Sequence, residues 1–434
     1  MRVTYVLLSP TFGMHQYTAD LANRMAAAGH DVHLVTTTGY PVDRYAPAVQ
    51  VRTPLTSTGT GFSPEGLNLP ALRRILAALP APPSTRQPST RGQATTTGQP
   101  YNDEERSNVQ TFKRSNEPLP RSNVPFTNLQ PSTSNFQPSV VHITGVHLWN
   151  LFLVHALRRR GIPTLHTLHD LDPHHGRRFG GLIRLWNQLI IASGCHLLVH
   201  GRRYRERLLA RGVAEDRVTY APLLHLFLAH GAAHGAAQEA AVAADPLGED
   251  VRYEPWALFF GRLLPYKGVG DLVQAQARLD RRGASSGVTL AGSGDLARVW
   301  DGPLPAGVAL RNRLIDDPEA LDLFRRCGLL VLPYRDATQS ALIAAAYFFR
   351  KPVIVTDVGA LPEYVDEGRT GWVVPPGDPA ALAACLAHAL ADPAGLERMG
   401  AAGRAWYERE RAREWETLVG LYGEATARRF GVEG

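Results

Sequence analysis

Apolar residues along this chain occur in two patterns: short continuous runs, and longer stretches in which they recur every three or four positions. The first pattern belongs to strands buried on both faces of a parallel sheet, and the second to helices that bury one stripe. Residues 3–8 form such a run. They are followed by a turn at Ser9-Pro10-Thr11-Phe12-Gly13 and a helix over about 16–28, which Gly29 ends. Residues 31–37 read as the next strand, and further strands are expected at 140–144, 163–168 and 196–200, separated by helices near 148–160 and 182–192. A second series starts at 256–260 and continues through 288–291, 329–333 and 352–356. Strands alternating with helices predict parallel sheets joined by crossover helices. The expected fold class is therefore α/β, with two Rossmann-like domains facing each other across a cleft. Near the end, Trp415, Leu418, Leu421 and Tyr422 recur at helical spacing and predict a terminal amphipathic helix over 411–434 that packs back on the first domain.

Two segments fall outside this pattern. Residues 82–139 are rich in Ser, Thr, Pro, Gln and Asn and hold six of the eleven asparagines, with Arg-Ser-Asn recurring at 106, 114 and 121. That repeat lacks the apolar positions a stacked repeat would need to build a core, so the segment reads as a disordered insertion. Loop-closure entropy grows slowly with length, so a surface connection can carry it at modest cost. Residues 229–250, alanine-rich with Gly231 and Gly235, read as the interdomain linker. The expected organisation is a first domain over 1–228, the linker, a second domain over 251–410 and the terminal helix.

At 434 residues, with 44% hydrophobic and 20% charged residues, the composition is that of a large globular enzyme. No apolar run approaches the ~20 residues needed to cross a bilayer, and the start reads as a strand rather than a signal peptide. A cytoplasmic location is the expectation, with peripheral contact at the inner face of the membrane as an open alternative. Cys195, Cys327 and Cys385 are odd in number and far apart, which suggests core thiols rather than disulfides or a metal site. The net charge of +6 favours anionic partners.

Arginine supplies nearly all of the positive charge: forty-three arginines stand against three lysines. One of those lysines, Lys267, lies in Gly261-Arg262-Leu263-Leu264-Pro265-Tyr266-Lys267-Gly268, just after the predicted strand 256–260. Loops at the carboxyl ends of strands are where open α/β sheets bind ligands. A guanidinium fork and a compact ammonium together suit a diphosphate; the alternative is a solvated loop carrying two surface cations.

These residues, with Ala291-Gly292-Ser293-Gly294 and the long stretch from Lys351-Pro352 through Gly359 and Glu363 to Thr370-Gly371 and Pro376-Gly377-Asp378, resemble glycosyltransferase family 4, of GT-B fold. The first domain resembles the acceptor-side domain of that family through residues 1–37, with Gly29-His30-Asp31-Val32, and through Thr167-Leu168-His169-Asp170. The resemblance implies transfer of a sugar from a nucleotide-diphosphate sugar, with retention at the anomeric carbon and without a bound metal or other cofactor. It implies donor contacts at Gly261, Arg262, Lys267 and Gly292, with Arg262 and Lys267 stabilising the charge on the departing diphosphate. It also implies an orienting or charge-stabilising role for His169, and an acceptor side formed by Gly13, His15 and Asp170, although Met14 stands where relatives often carry a second glycine.

The departure from the family lies between Pro333 and Pro352. Relatives carry two glutamates eight residues apart, and this chain has Ala337 and Ala345 in those places. Between them stands Thr338-Gln339-Ser340-Ala341, which resembles a bacterial subset with Thr-Gln-Ser in place of the glutamate motif. The expectation is that these four residues bind the donor at the amino terminus of a helix running to about Phe349; plain helix capping by Thr338 or Ser340 is the alternative. His200 and His225 occupy loop positions consistent with the cleft. Glu363 is expected to open a helix rather than to act in chemistry. His169, His174 and His175 with Asp170 and Asp172 match no helical His-x-x-x-His spacing, so no metal site is expected.

The acceptor is expected to be a glycan, a lipid-linked sugar or a small molecule. Basic helix faces at 202–209 and 158–160 are candidates for contact with anionic lipid headgroups, with solvated helix faces as the alternative. Nucleic acid is not an expected partner, since zinc-binding spacing and aromatic recognition motifs are lacking. Loss of both glutamates keeps a second class open: a catalytically impaired nucleotide-sugar-binding or regulatory protein on the same fold.

Overall fold

The computed structural model describes residues 1–9, 12–38, 42–56, 68–80, 140–171, 180–226 and 251–427. The predicted insertion at 82–139, the linker at 229–250, and Asp172, His174 and His175 lie outside them.

The described residues form two parallel α/β sheets. The first has β1 (Arg2–Val6), β2 (Asp31–Thr37), β3 (Gln50–Leu55), β4 (Val140–Ile143), β5 (Thr164–Thr167), β6 (His196–Val199) and β7 (Val218–Tyr220), in the order β3-β2-β1-β4-β5-β6-β7. The second has β8 (Trp256–Phe260), β9 (Gly287–Ala291), β10 (Val308–Arg311), β11 (Leu329–Leu332), β12 (Val353–Thr356) and β13 (Gly371–Val374), in the order β10-β9-β8-β11-β12-β13. Each order reverses beside its first strand, at β1 and β4 and at β8 and β11. Such a switch point opens a crevice at the carboxyl ends of the strands. This is the expected pair of Rossmann-like α/β domains.

Helices α1 (Phe12–Ala27), α2 (Leu69–Ala78), α3 (Asn150–Arg159), α4 (Gly180–Ala192) and α5 (Arg202–Ala210) belong to the first sheet. The second carries α6 (Val269–Arg281), α7 (Asp317–Arg326), α8 (Leu342–Phe348) and α9 (Pro379–Leu390). Asp316, whose carboxylate accepts from the Glu319 N–H at 3.0 Å, starts α7, and Asp378 starts α9 in the same way. Each is followed by a proline in the first turn, where the missing N–H costs nothing.

The closing helix α10 runs unbroken over Pro393–Ala427, so the expected domain limit at 410 falls inside it. Gly400 and Gly403 let its first half press against the second domain: a Cβ on Gly400 would stand 1.9 Å from the Arg350 carbonyl oxygen. Its second half joins the first domain, where Leu418 and Tyr422 are buried in one core with Val3, Tyr5, Tyr17, Leu21 and Met25. The Tyr422 hydroxyl lies 2.6 Å from Nδ1 of His142 on β4.

Candidate active site

A cavity of about 490 Å³ opens between the carboxyl ends of the two sheets. On the second-domain side, β8 ends at Phe260 and the chain turns at Gly261, which has φ +126°. The loop after β9 turns in the same manner at Gly292, with φ +140°. A Cβ on Gly292 would stand 2.2 Å from the Gly261 carbonyl oxygen, so the two loops can touch only with glycine there. The Leu263 N–H then donates to the Ser293 carbonyl at 2.9 Å. Backbone is thereby brought to the cleft wall without side chains in front of it.

Lys267 closes a single 3-10 turn, Pro265–Lys267, ended by left-handed Gly268. Its Nζ lies 3.5 Å from the point where a Cβ on Gly261 would sit, donates to the Tyr334 hydroxyl at 2.8 Å and stands 4.4 Å from that ring's centroid. The loop that carries Tyr334 is itself anchored. The Arg335 N–H donates to the Tyr266 carbonyl at 2.8 Å, and the Arg335 guanidinium forks onto buried Asp271 of α6 at 2.6 and 2.7 Å. Arg262 is exposed at the cleft and makes no hydrogen bond or ion pair with other described residues. One cation is therefore held in place while the other is free to engage a ligand.

Of Thr338-Gln339-Ser340-Ala341, the last three line the cavity and Thr338 does not. Thr338 is buried at the domain contact, where its carbonyl accepts from the Ala360 N–H at 2.9 Å. Helix α8 starts later than expected, with Ala341 as its N-cap and no side-chain cap hydrogen bond, so capping by Thr338 or Ser340 does not occur. The Gln339 Oε1 atom is buried without a protein donor. A buried acceptor left open in a cleft suits a ligand hydroxyl or N–H. Ala337 and Ala345 are buried and take no part in the lining.

Across the cleft, the first domain contributes Gly13, Met14, Gln16, His169 and Asp170. The expected turn through Gly13 is instead the start of α1, which places residues 13–16 around a helical turn. His15 consequently points away from the cavity: it is buried, with Nδ1 3.0 Å from the Tyr45 hydroxyl. His15, expected on the acceptor side, therefore stands outside the lining, and Gln16 stands in it instead.

His169 lines the cavity with Nε2 donating to the Thr144 carbonyl at 2.8 Å, which leaves Nδ1 as the acceptor of a neutral ring. Burial lowers its pKa, only partly offset by the Thr144 carbonyl and Asp170, so the ring offers the cleft a hydrogen-bonding group rather than a charge. It is one of a buried aromatic group: Tyr17 stacks edge-on against His169, His200 and His225 at centroid distances of 5.3, 5.2 and 5.8 Å. His225 reaches the cavity, and His200 stays beneath it.

One flank of the cleft is pinned by Glu363. It opens no helix of the kind expected. From a 3-10 turn in the second domain, its carboxylate accepts the Arg202 and Arg203 N–H groups and so caps α5 of the first domain. Beside it, the Tyr364 hydroxyl donates to the His200 carbonyl at 2.6 Å and accepts from the Leu223 N–H at 2.8 Å. Arg313, Leu314, Ile315 and Asp317, which also line the cavity, escaped the sequence reading. They follow β10, whose alternating Val308 and Leu310 were the available signal.

Comparison with known proteins agrees with this architecture. The family model described as "Glycosyl transferase 4-like domain" matches residues 12–223, and "Glycosyl transferases group 1" matches 254–392. Together they account for both walls of the cleft, and the chain belongs to the GT4-type glycosyltransferases of GT-B fold. It is similar to a glycogen synthase of Mycobacterium tuberculosis, 36% identical over 34% of this chain and 36% of the relative. It is also similar to an alpha-D-kanosaminyltransferase of Streptomyces kanamyceticus, 32% identical over 33% of this chain and 39% of the relative. A D-inositol 3-phosphate glycosyltransferase of Streptomyces scabiei is 32% identical over 41% and 43%. The matched part thus spans well under half of each of these curated relatives. Among solved structures, sucrose-phosphate synthase from Thermosynechococcus elongatus superposes with TM-score 0.65 at 19% identity, covering 98% of this chain and 99% of that one. HepE of Anabaena in complex with UDP-glucose gives TM-score 0.58 at 13% identity over 97% and 100%.

Proposed function

We propose that this protein is a retaining glycosyltransferase that moves a hexosyl group from a nucleotide-diphosphate sugar to a glycan, lipid-linked or small-molecule acceptor, with protein cations serving the diphosphate in place of a metal. The observation that carries the reading is the pairing of Lys267 and Arg262 on the glycine-lined wall of the cleft. Cleavage of the anomeric C–O bond leaves negative charge developing on the diphosphate oxygens. Preorganised donors aimed at those oxygens lower the barrier most where water is excluded. Lys267, held by Tyr334, serves as the fixed donor, and Arg262 closes on the diphosphate from the rim. Gln339 accepts a donor hydroxyl through its open Oε1, and neutral His169 orients the reacting sugar. HepE, solved with UDP-glucose, supports a nucleotide sugar as the ligand class.

Loss of carboxylates at Ala337 and Ala345 favours a second reading, a nucleotide-sugar-binding protein without transfer activity. Calorimetric titration with UDP-, GDP- and ADP-sugars, followed by assay of slow donor hydrolysis, separates the two. Binding with hydrolysis or transfer supports the enzyme, and binding alone supports the second reading. Absence of binding to the whole panel refutes both.

A further inference from the structure

Seven large hydrophobic side chains are exposed among the described residues, and four of them stand on two neighbouring helices. Phe152 of α3 is 53% exposed, and Leu182, Leu185 and Leu189 of α4 are 45, 53 and 40% exposed. The three leucines recur at spacings of three and four, which places them in one stripe along α4. This stripe is separate from the core face of the same helix, where Ile183, Trp186, Asn187 and Ile190 are buried. At the start of α3, Phe152 packs edge-on against Trp149 with centroids 5.2 Å apart. Because β4, β5 and β6 are adjacent and in order, right-handed crossovers place α3 and α4 side by side on one face of the first sheet.

The charge on these helices has one sign. Neither α3 nor α4 contains an aspartate or glutamate, while Arg158, Arg159 and Arg184 are exposed on them and make no ion pair among the described residues. Single exposed leucines are ordinary on a solvated surface, whereas a stripe of three beside charge of one sign marks an interaction face. Leucines and aromatics flanked by arginines that meet no carboxylate among the described residues, Arg158 being held only by the Ser193 carbonyl at 3.2 Å, match the boundary between acyl chains and anionic headgroups.

We propose that the α3–α4 face of the first domain docks on an anionic lipid bilayer, with Leu182, Leu185 and Leu189 entering the acyl boundary and the three arginines meeting the headgroups. Helix α4 follows β5, whose carboxyl end carries His169 and Asp170 at the cleft. A docked protein therefore holds the acceptor side of its cleft near the headgroups, which assigns a lipid-linked acceptor. That last step rests on the glycosyltransferase reading, whereas the docking itself does not.

The test is co-sedimentation of the full chain with vesicles of phosphatidylcholine alone, or of phosphatidylcholine and phosphatidylglycerol in equal parts. Wild type should favour the anionic vesicles by on the order of 10²-fold, about fivefold for each arginine, and lose this preference in high salt. L182Q/L185Q/L189Q should lose sedimentation on both vesicle types while binding nucleotide sugar in free solution as wild type does. Equal sedimentation of wild type and variant overturns the proposal, as does wild type without preference for anionic vesicles. Sedimentation velocity giving a wild-type dimer that the variant dissolves also overturns it, since the leucines would then hold two copies together. Failure of the glycosyltransferase reading would show differently, as wild type that sediments with vesicles but binds no sugar nucleotide.

Discussion

In the proposed transfer, Lys267 is the residue on which the chemistry turns, because its amine is already held by the Tyr334 hydroxyl before any ligand arrives. The hydrogen bond to Tyr334 and the nearby Gly261 leave little room for a larger head group. Lys267→Ala should therefore lower turnover by about 10²-fold or more, as expected for loss of one transition-state donor. Unimpaired donor hydrolysis in that variant would remove the assignment. Gln339 tests ground-state binding instead. Its Oε1 has no protein donor, so Gln339→Ala should weaken donor affinity by about five- to tenfold, the worth of one hydrogen bond of about 1 kcal/mol or slightly more. Titration calorimetry reads this directly, and unchanged affinity would leave Gln339 without a ligand role. Residue spacing made the lysine and the glycines legible from sequence, since a turn after a strand end fixes where they lie. His15 was not legible in this way. Whether residues 13–16 form a turn or a helix decides which way its ring points, and Pro10 and Gly13 read equally well as either.

At the level of elements, every strand in the interior of a sheet was visible as an apolar run. The four that were missed, β3, β7, β10 and β13, are the four edges. Edge strands bury less: β10 has no fully buried residue, and β3 has one, Leu55. Their residues carry a weaker apolar signal for that physical reason. Helix α10 was legible only in its last third, where Leu418 and Tyr422 face the first domain. The polar part of its contact with α1 involves pairs nearly four hundred positions apart. Glu414 lies 2.8 Å from Arg24 and 2.9 Å from Arg411, and Arg411 also pairs with Asp20. Burial pushes the Asp20 carboxyl up, but Arg411 and Arg24 outweigh it and hold it low. Removing Glu414 leaves Arg24 and Arg411 to share Asp20 alone, an uncompensated positive charge in a buried cluster. Glu414→Ala should cost about 3–5 kcal/mol, measured as a lowered urea midpoint. A loss below about 1 kcal/mol would place this group with ordinary surface pairs.

Taken as a whole, the molecule places the buried histidines of its described residues in the first domain. Burial pushes His142 down to about 3, and His147, His166 and His225 down to about 4. His200 is also pushed well below its usual value, chiefly by burial. In the unfolded chain each of these rings takes up a proton near pH 6.5. Below that pH the unfolded state binds more protons than the folded one, so stability falls as pH drops and is complete only above about pH 6.5. The loss continues down to the folded-state values near 4 and 3. Each ring adds a slope of about 1.4 kcal/mol per pH unit within that window, and several act together, so a domain of ordinary stability should unfold well before pH 4. Urea midpoints at pH 7.5, 6.5 and 5.5 should fall progressively, modestly over the first step and sharply over the second. The second domain contributes little to this slope, because no buried histidine among its described residues shows such a shift. Acid should therefore loosen the wall that carries His169 before the wall that carries Lys267. A midpoint that stays flat to pH 5 would mean that these rings are hydrated in solution and that the aromatic floor of the cleft is open to water.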